Sequence, residues 1–383
     1  NIPPKLFPGN ELAQKVTRDS MRSRAACFWA TDCIRGCSIK ANFQSTTVLI
    51  PPALATGNLD IVTDAMVREV TLNERGLADG VIYIDKVTKQ EKRAKARVVV
   101  VAASAAESSR IFLNSKSNLF PDGLANGSGL VGRYLMDTVG AGVGAQIPML
   151  EDLPPHNEDG ASAMHMYIPW WKYQEQARGE LNFSRGYHVE LYGGRRMPSY
   201  GSFHGFERFT QGAYGVELKE AIRRYYGSFL WFEGRGEMIP NDDCFLEIDK
   251  TKVDDWDIPV PKFHWKWGQQ ELDQAAHMHK SIAEIFTAMG GKLTSPIHED
   301  GTKAIANGGT IIHEVGSLMM GDHPNKSVLN QYCQAWEVPN VFVTDGAPFV
   351  SNADKNPTLT IMALAWRNCD YIVEQLKRRD INV

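Results

Sequence analysis

The chain has 383 residues, 43% hydrophobic and 22% charged, the balance of a globular protein with room for two or three domains. With 41 basic and 45 acidic side chains its net charge is −4, which gives no footing for nucleic acid or an acidic membrane surface. No apolar run approaches the ~20 residues of a membrane span.

Residues 1–58 read as irregular and hold Cys27, Cys33 and Cys37 close together. The opening "NIPPKLFPGNEL" has neither the basic n-region nor the apolar h-region of a signal peptide and reads as the middle of a loop. The chain is therefore expected to be a piece of a longer protein. Next, "LDIVTDAMVREVTLN" and "GVIYIDK" alternate as strands, with Gly76 and Gly80 near their turn. In "KARVVVVAASAAESSRIFLNSK" the period changes: Val98–Val101 suits a strand buried on both faces, and Ser104 with Glu107 has the spacing of a capping box. A buried strand entering a helix through small residues fits a nucleotide-binding crossover, or any α/β crossover.

Two glycine patterns invite the same reading and fail it. "GSGLVG" from Gly127 follows a loop, and "GAGVGA" from Gly140 is followed by Pro148, Pro154 and Pro155, which forbid a helix of useful length. From about residue 141, "GVGAQIPML", "ASAMHMYIPWW", "YHVELYG", "SFLWFEGRG" and "DCFLEID" read as successive strands of an antiparallel sheet. Helices are expected at "VELKEAIRRYY" and "GQQELDQAAHMHKSIAEIFTAMGG", the latter stopped by Gly290 and Gly291. The strand "NVFVTDGAPF" runs into Asp345-Gly346, and Pro357 opens a last amphipathic helix.

The stretch "IIHEVGSLMMGDH" sets His313 beside a glutamate. A zinc-protease site needs a second histidine four residues on, but that position is Ser317, and Gly316 weakens a helix there. His313 is then a base or a structural histidine. Nine tryptophans and twelve tyrosines suit sugar stacking as well as core filling.

The tail "HEVGSLMMG…SVLNQYCQAWEVPNVFVTDGAPFVSNADKNPTLTIMALAWR" resembles the C-terminal signature of the glucose–methanol–choline (GMC) oxidoreductases: an H-x-x-G turn, a strand ending in D-G, then N-P-T opening a long helix. "VVVVAASAAESSRIFLNS", "GLANGSGLVGRYLMD" and "LIPPALATGNLDIVTDAMVREV" agree with the family in order, the last two with its sugar-oxidising bacterial members. The resemblance implies an α/β FAD-binding domain at 1–140 and 307–383, lacking its opening strand–glycine loop–helix. It further implies an antiparallel substrate domain with helices at 141–306.

It also implies roles. His313 would take the hydroxyl proton as hydride leaves for the flavin N5, and Asn356 would hydrogen-bond the substrate oxygen. Asn356 could equally cap the last helix. Val67 and Ala102 match positions near the adenine or ribose of FAD; Asp345, Gly346, Pro357 and Thr358 match flavin-contacting positions. The C-x5-C-x3-C spacing of Cys27, Cys33 and Cys37 resembles the cysteine segment of bacterial members with a [3Fe–4S] cluster. The implied enzyme is an FAD-dependent dehydrogenase turning a sugar or glycoside CH–OH into a ketone, with C3 of a hexose a candidate carbon. Its implied partners are a small companion subunit and a cytochrome c-type acceptor. The alternatives are an O2-using oxidase and a non-catalytic carbohydrate-binding fragment. The address stays open between bacterial periplasm and cytoplasm.

Overall fold

The structure, a computed structural model, describes residues 9–27, 36–153, 166–194, 210, 212–378 and 380–381. Within the region read as irregular, two α-helices form among the described residues: α1 (Glu11–Arg22), capped by the Asn10 side chain, and α2 (Ile50–Ala55), which follows a π-helical turn at Ser45–Leu49. Neither buries a residue, so neither leaves the clean one-faced apolar pattern by which a core-packed helix is recognised.

Strands β1 (Ala65–Leu72), β2 (Ala78–Asp85) and β3 (Glu91–Lys95) make an antiparallel meander. It leads into β4 (Val99–Val101) and α3 (Ala105–Asn114), the expected strand–helix crossover. Two details differ from expectation. Val100 is 46% exposed, because among the described residues β4 has one face packed and pairs with a single parallel strand. Ser104 has φ +85° and makes no side-chain cap; Ser108 Oγ instead accepts the Ala103 N–H at 3.0 Å.

The chain then runs through β5 (Arg133–Met136) into β6 (Val139–Gln146), β7 (Tyr167–Ile168) and β8 (Tyr187–Gly193). Helix α4 (Gly215–Tyr225) precedes β9 (Phe229–Gly236), β10 (Phe245–Val253) and β11 (Pro259–His264). Helix α5 (Gln269–Ala288) leads to β12 (Lys292–Leu293), β13 (Val315–Ser317), β14 (Val341–Val343) and α6 (Thr358–Arg378). Among the described residues no helix is long and apolar enough to cross a membrane.

Two sheets position the site. One has the order β12-β6-β9-β8-β7, the other β11-β10-β5-β13, and β4 pairs in parallel with β14. The boundary expected at 140/141 falls inside β6, and β10–β11 join β5 and β13 instead of extending the first sheet. In that first sheet the alternation of "VGAGVGAQ" sorts two faces. Ala141, Val143 and Ala145 join Val189 and Phe232 against Met278, Ile282 and Phe286 of α5. Phe232 and Phe286 stack with centroids 4.4 Å apart, and each such burial stabilises by about 1.5–3 kcal/mol. Gly140, Gly142 and Gly144 fall on the opposite face. The second core gathers β4, α3, β14 and the 328–347 region. Asn340 fastens this core to the meander, donating to Ala78 O at 2.7 Å and Arg97 O at 2.9 Å while accepting from Ala78 N–H.

Candidate active site

The loop before β13 carries His313, and two chain segments hold it. The His313 backbone N–H donates to Asp137 Oδ1 at 3.0 Å. Its ring Nδ1 lies 3.3 Å from Thr138 Oγ1. Its carbonyl oxygen accepts from Asn352 Nδ2 at 3.3 Å, and the same amide reaches Thr138 Oγ1 at 3.4 Å. Asp137 also accepts the N–H groups of Thr138 and Gly309, so a fully buried carboxylate pins the loop through backbone bonds alone. Burial raises the Asp137 pKa against the pull of those bonds.

The glycine of H-x-x-G has a local cause. Gly316 has φ +85°, and a Cβ there would sit 2.3 Å from Tyr134 O of β5. A glycine is what lets β13 close on β5 and brings His313 beside Thr138. Gly346 answers a similar demand: its Cβ would meet Glu314 O at 3.1 Å.

The imidazole is half-buried. Burial lowers its pKa, the Arg235 and His188 charges lower it further, and Glu190 opposes them. In the tautomer whose Nδ1–H donates to Thr138, Nε2 keeps the lone pair, which is the form a proton acceptor needs.

The charges come from the glycine-bearing face of the first sheet. Gly140, Arg235 and His188 stand opposite one another on β6, β9 and β8; Gly142, Glu233 and Glu190 form the next row, and Gly144, Trp231 and Tyr192 the third. Glu190 accepts from Arg235 Nε at 3.2 Å and from the Tyr192 hydroxyl, and its other oxygen lies 3.5 Å from His188 Nε2. Burial pushes the Glu190 carboxyl up, but these partners outweigh it and hold it at about 2. His188 Nδ1 lies 3.3 Å from Asp354, which also pairs with Lys355. His188 stays above its ordinary pKa, with burial opposing and the Asp354 and Glu190 bonds prevailing. Just past β9, Met238 bridges to Asn352, which ties this end of the sheet to the base.

The expected positions fall as follows. Asn356 is exposed, four residues beyond Asn352 and just ahead of α6; Pro357 is buried and Thr358 exposed. Asp345, at the end of β14, spends its carboxylate on the chain itself, accepting from Ser104 N–H at 3.1 Å, Ala347 N–H at 2.8 Å and the Ser108 hydroxyl. Val67 and Ala102 line one cleft of about 750 Å³, with Val99–Val101, Glu107 and Trp256. Apolar walls with a carboxylate suit the flat adenosine end of a dinucleotide. The pattern at Gly127 lies in turns and the one at Gly140 inside β6, so neither is a strand–helix turn.

Cys37 Sγ accepts the N–H groups of Ala41 at 3.2 Å and Asn42 at 3.4 Å, which lower its pKa, the Asn42 bond most. Cys27 is exposed, and Cys33 lies outside the described residues. Sequence reasoning missed Asp137, Thr138, Asn352, Arg235, Glu190 and His188. The only trace was polar residues recurring at every second place in "YHVELYG" and "LWFEGRG".

Two family profiles, both described as GMC oxidoreductase, match residues 9–137 and 240–365. A 2-methyl-1,2-propanediol dehydrogenase of Mycolicibacterium austroafricanum is 30% identical, the match covering 84% of this chain and 55% of that protein. The fructose dehydrogenase large subunit of Gluconobacter japonicus is 26% identical, covering 97% and 64%. A C-glycoside 3-oxidase of Arthrobacter globiformis is 25% identical, covering 83% and 54%. The chain thus spans between 54% and 64% of the length of these relatives. A solved formate oxidase variant of Aspergillus oryzae RIB40, described for its FAD modification, shares the fold with TM-score 0.58 at 13% identity, covering 86% of this chain and 64% of that one.

Proposed function

The chain belongs to the GMC oxidoreductase family, flavin enzymes acting on CH–OH groups, and we propose that within it the chain serves an FAD-dependent dehydrogenase of sugars or glycosides. The observation that carries this reading is His313, held by Asp137 and Asn352 at its backbone and by Thr138 at its Nδ1, which would leave Nε2 to accept a proton. An alcohol releases hydride readily only as its hydroxyl proton leaves, so a neutral, fixed imidazole is the group required. Bound FAD supplies the hydride acceptor.

Val67 and Ala102 would flank the adenosine end of the cofactor, and Gly346, Pro357 and Thr358 its flavin end. Asp345 would act on that end indirectly, by fixing the turn after β14. Asn356 would hydrogen-bond the substrate oxygen. The sheet face bearing Arg235 and Glu190 would receive the rest of the substrate. Its charges alternate in sign, which favours an uncharged polyhydroxy compound over a sugar acid or an amine. The carbon oxidised is read as a ring carbon, giving a ketone.

Electrons would leave to a non-O2 acceptor of the cytochrome c type, with a small companion subunit; the fructose dehydrogenase relative is itself named as a large subunit. Cys27, Cys33 and Cys37 would hold a [3Fe–4S] cluster that supplies one-electron transfer. The backbone cradle around Cys37 Sγ suits a thiolate ligand.

The test is anaerobic reduction of the FAD-loaded full-length protein by a panel of sugars and glycosides, before and after His313→Ala. Retained FAD with reduction slowed by roughly 10²–10⁴ supports the assignment. Unchanged kinetics remove it. Rapid reoxidation by O2 makes the enzyme an oxidase.

A further inference from the structure

The polar face of the first sheet extends well beyond His313, and its far end is an aromatic platform. Along β9, Arg235, Glu233 and Trp231 share this face, while Gly234 and Gly236 turn to Met278 of α5. Arg235 marks the His313 end, where its Nη1 lies beside Gly140 and Ile311. The Arg235 side chain is only 14% exposed, and its Nη1 pairs with Glu233 Oε1 at 3.6 Å.

Trp231 lies four residues further out, about 13 Å along the strand at 3.3 Å per residue. Its indole spans two glycines of β6: a Cβ at Gly142 would lie 2.5 Å from Trp231 Cζ2, and one at Gly144 3.1 Å from Cε3. One face of the ring therefore rests on bare backbone. Its N–H donates to Glu233, which fixes its orientation, yet the residue remains 42% exposed. An immobilised indole with an open outer face beside buried carboxylates is suited to the flat side of a sugar ring.

We propose that Trp231 forms a second subsite, stacking the second ring of a disaccharide or glycoside whose first ring is oxidised at His313. The inference rests on the sugar reading given above. The separation of Arg235 and Trp231 exceeds one pyranose ring, so a substrate that reaches both carries at least two linked rings. Arg235 would border the site of the first ring, and Glu233 would accept from a hydroxyl at the linkage.

The test uses the FAD-loaded full-length protein and three sugar pairs: glucose with cellobiose, galactose with lactose, and fructose with sucrose. kcat/KM for anaerobic flavin reduction is measured for wild type, Trp231→Ala and Trp231→Phe. At least one disaccharide should exceed its monosaccharide, and Trp231→Ala should shrink that preference about tenfold, mainly through KM. Trp231→Phe, which keeps an aromatic face, should retain most of it. A preference unchanged in Trp231→Ala, or equal losses on both members of every pair, overturns the subsite and leaves the sugar reading standing. Failure of all six sugars to reduce the flavin, while small diols do, overturns both.

Discussion

Asn352 grips His313 by its backbone: one amide nitrogen donates to the His313 carbonyl oxygen at 3.3 Å and to Thr138 Oγ1 at 3.4 Å. A single buried side chain thus holds both the backbone of the base and the hydroxyl beside its Nδ1. Asn352→Ala should strip two buried acceptors of their donor and cost roughly 1–3 kcal/mol of stability. It should also slow flavin reduction by about 10- to 100-fold through misplacement of the ring. Thermal unfolding and single-turnover kinetics on the same preparation check both; a stability loss with unchanged reduction would refute the positioning role.

The His313 pKa lies below its ordinary 6.5, through burial first and then the Arg235 charge. The neutral ring is the active form, so kcat/KM should climb as pH rises through this lowered pKa and be level by about pH 7. Arg235→Gln removes a cation and should move that limb to higher pH. For stability the sign is separate: above 6.5 the ring is neutral folded or unfolded, and below it the unfolded chain takes the proton first, so stability declines with acid. A pH profile of flavin reduction in both proteins decides the first point. A limb that does not move would show that Arg235 has no electrostatic hold on His313.

Glu190 answers to His188, Tyr192 and Arg235 together, and its folded pKa of about 2 lies under the ordinary 4.5. That stabilisation is present above 4.5 and lost as pH falls toward about 2. Glu190→Gln takes one carboxylate from Arg235, which keeps Glu233, and from His188, which keeps Asp354, and should cost about 1.5–3 kcal/mol near neutral pH. The gap between the two unfolding midpoints should narrow as pH approaches 3. A gap constant with pH would mean that packing, not charge, is lost.

Gly316→Ala places a methyl where Tyr134 O allows 2.3 Å, at φ +85°. The left-handed backbone alone costs about 1–2 kcal/mol, and β13 must also back away from β5. Chemical unfolding should show a clear loss, with activity falling in step because the same shift carries His313 away from Thr138. Full activity in the variant would separate the H-x-x-G turn from the base.

The cysteine segment is tested by composition. Anaerobically prepared full-length protein should contain iron and acid-labile sulfide, and Cys37→Ser should lose both along with turnover by a cytochrome acceptor. Full dehydrogenase activity in iron-free wild-type protein would mark Cys27, Cys33 and Cys37 as packing residues.

The positions most legible in the sequence were those whose cause is local. Gly316, the strand into Asp345 and the helix after Pro357 announce themselves through backbone geometry, and the glycine pattern at Gly140 was rightly taken for strand. The scaffold of the base was not legible. Asp137, Thr138 and Asn352 act on His313 from 176, 175 and 39 residues away. Nothing in a local window marks them, because Asx and Thr side chains serve turns and caps far more often. The same holds for Arg235 and Glu190, whose pairing exists only once β8 and β9 are in register. Helix α1 escaped notice because it buries no residue, and Val100 was misjudged because a valine run says nothing of how many faces are covered.

Those long separations bear on how the site comes into being. Joining segments so far apart along the chain carries a loop-closure entropy that helices do not face, so α5 and the β1–β2 hairpin can form while His313 is still unplaced. On refolding, far-UV ellipticity should recover first and the ability to accept a substrate proton last. Regained activity is then a stringent reporter of completed folding, and a chain of near-native helicity can be catalytically silent.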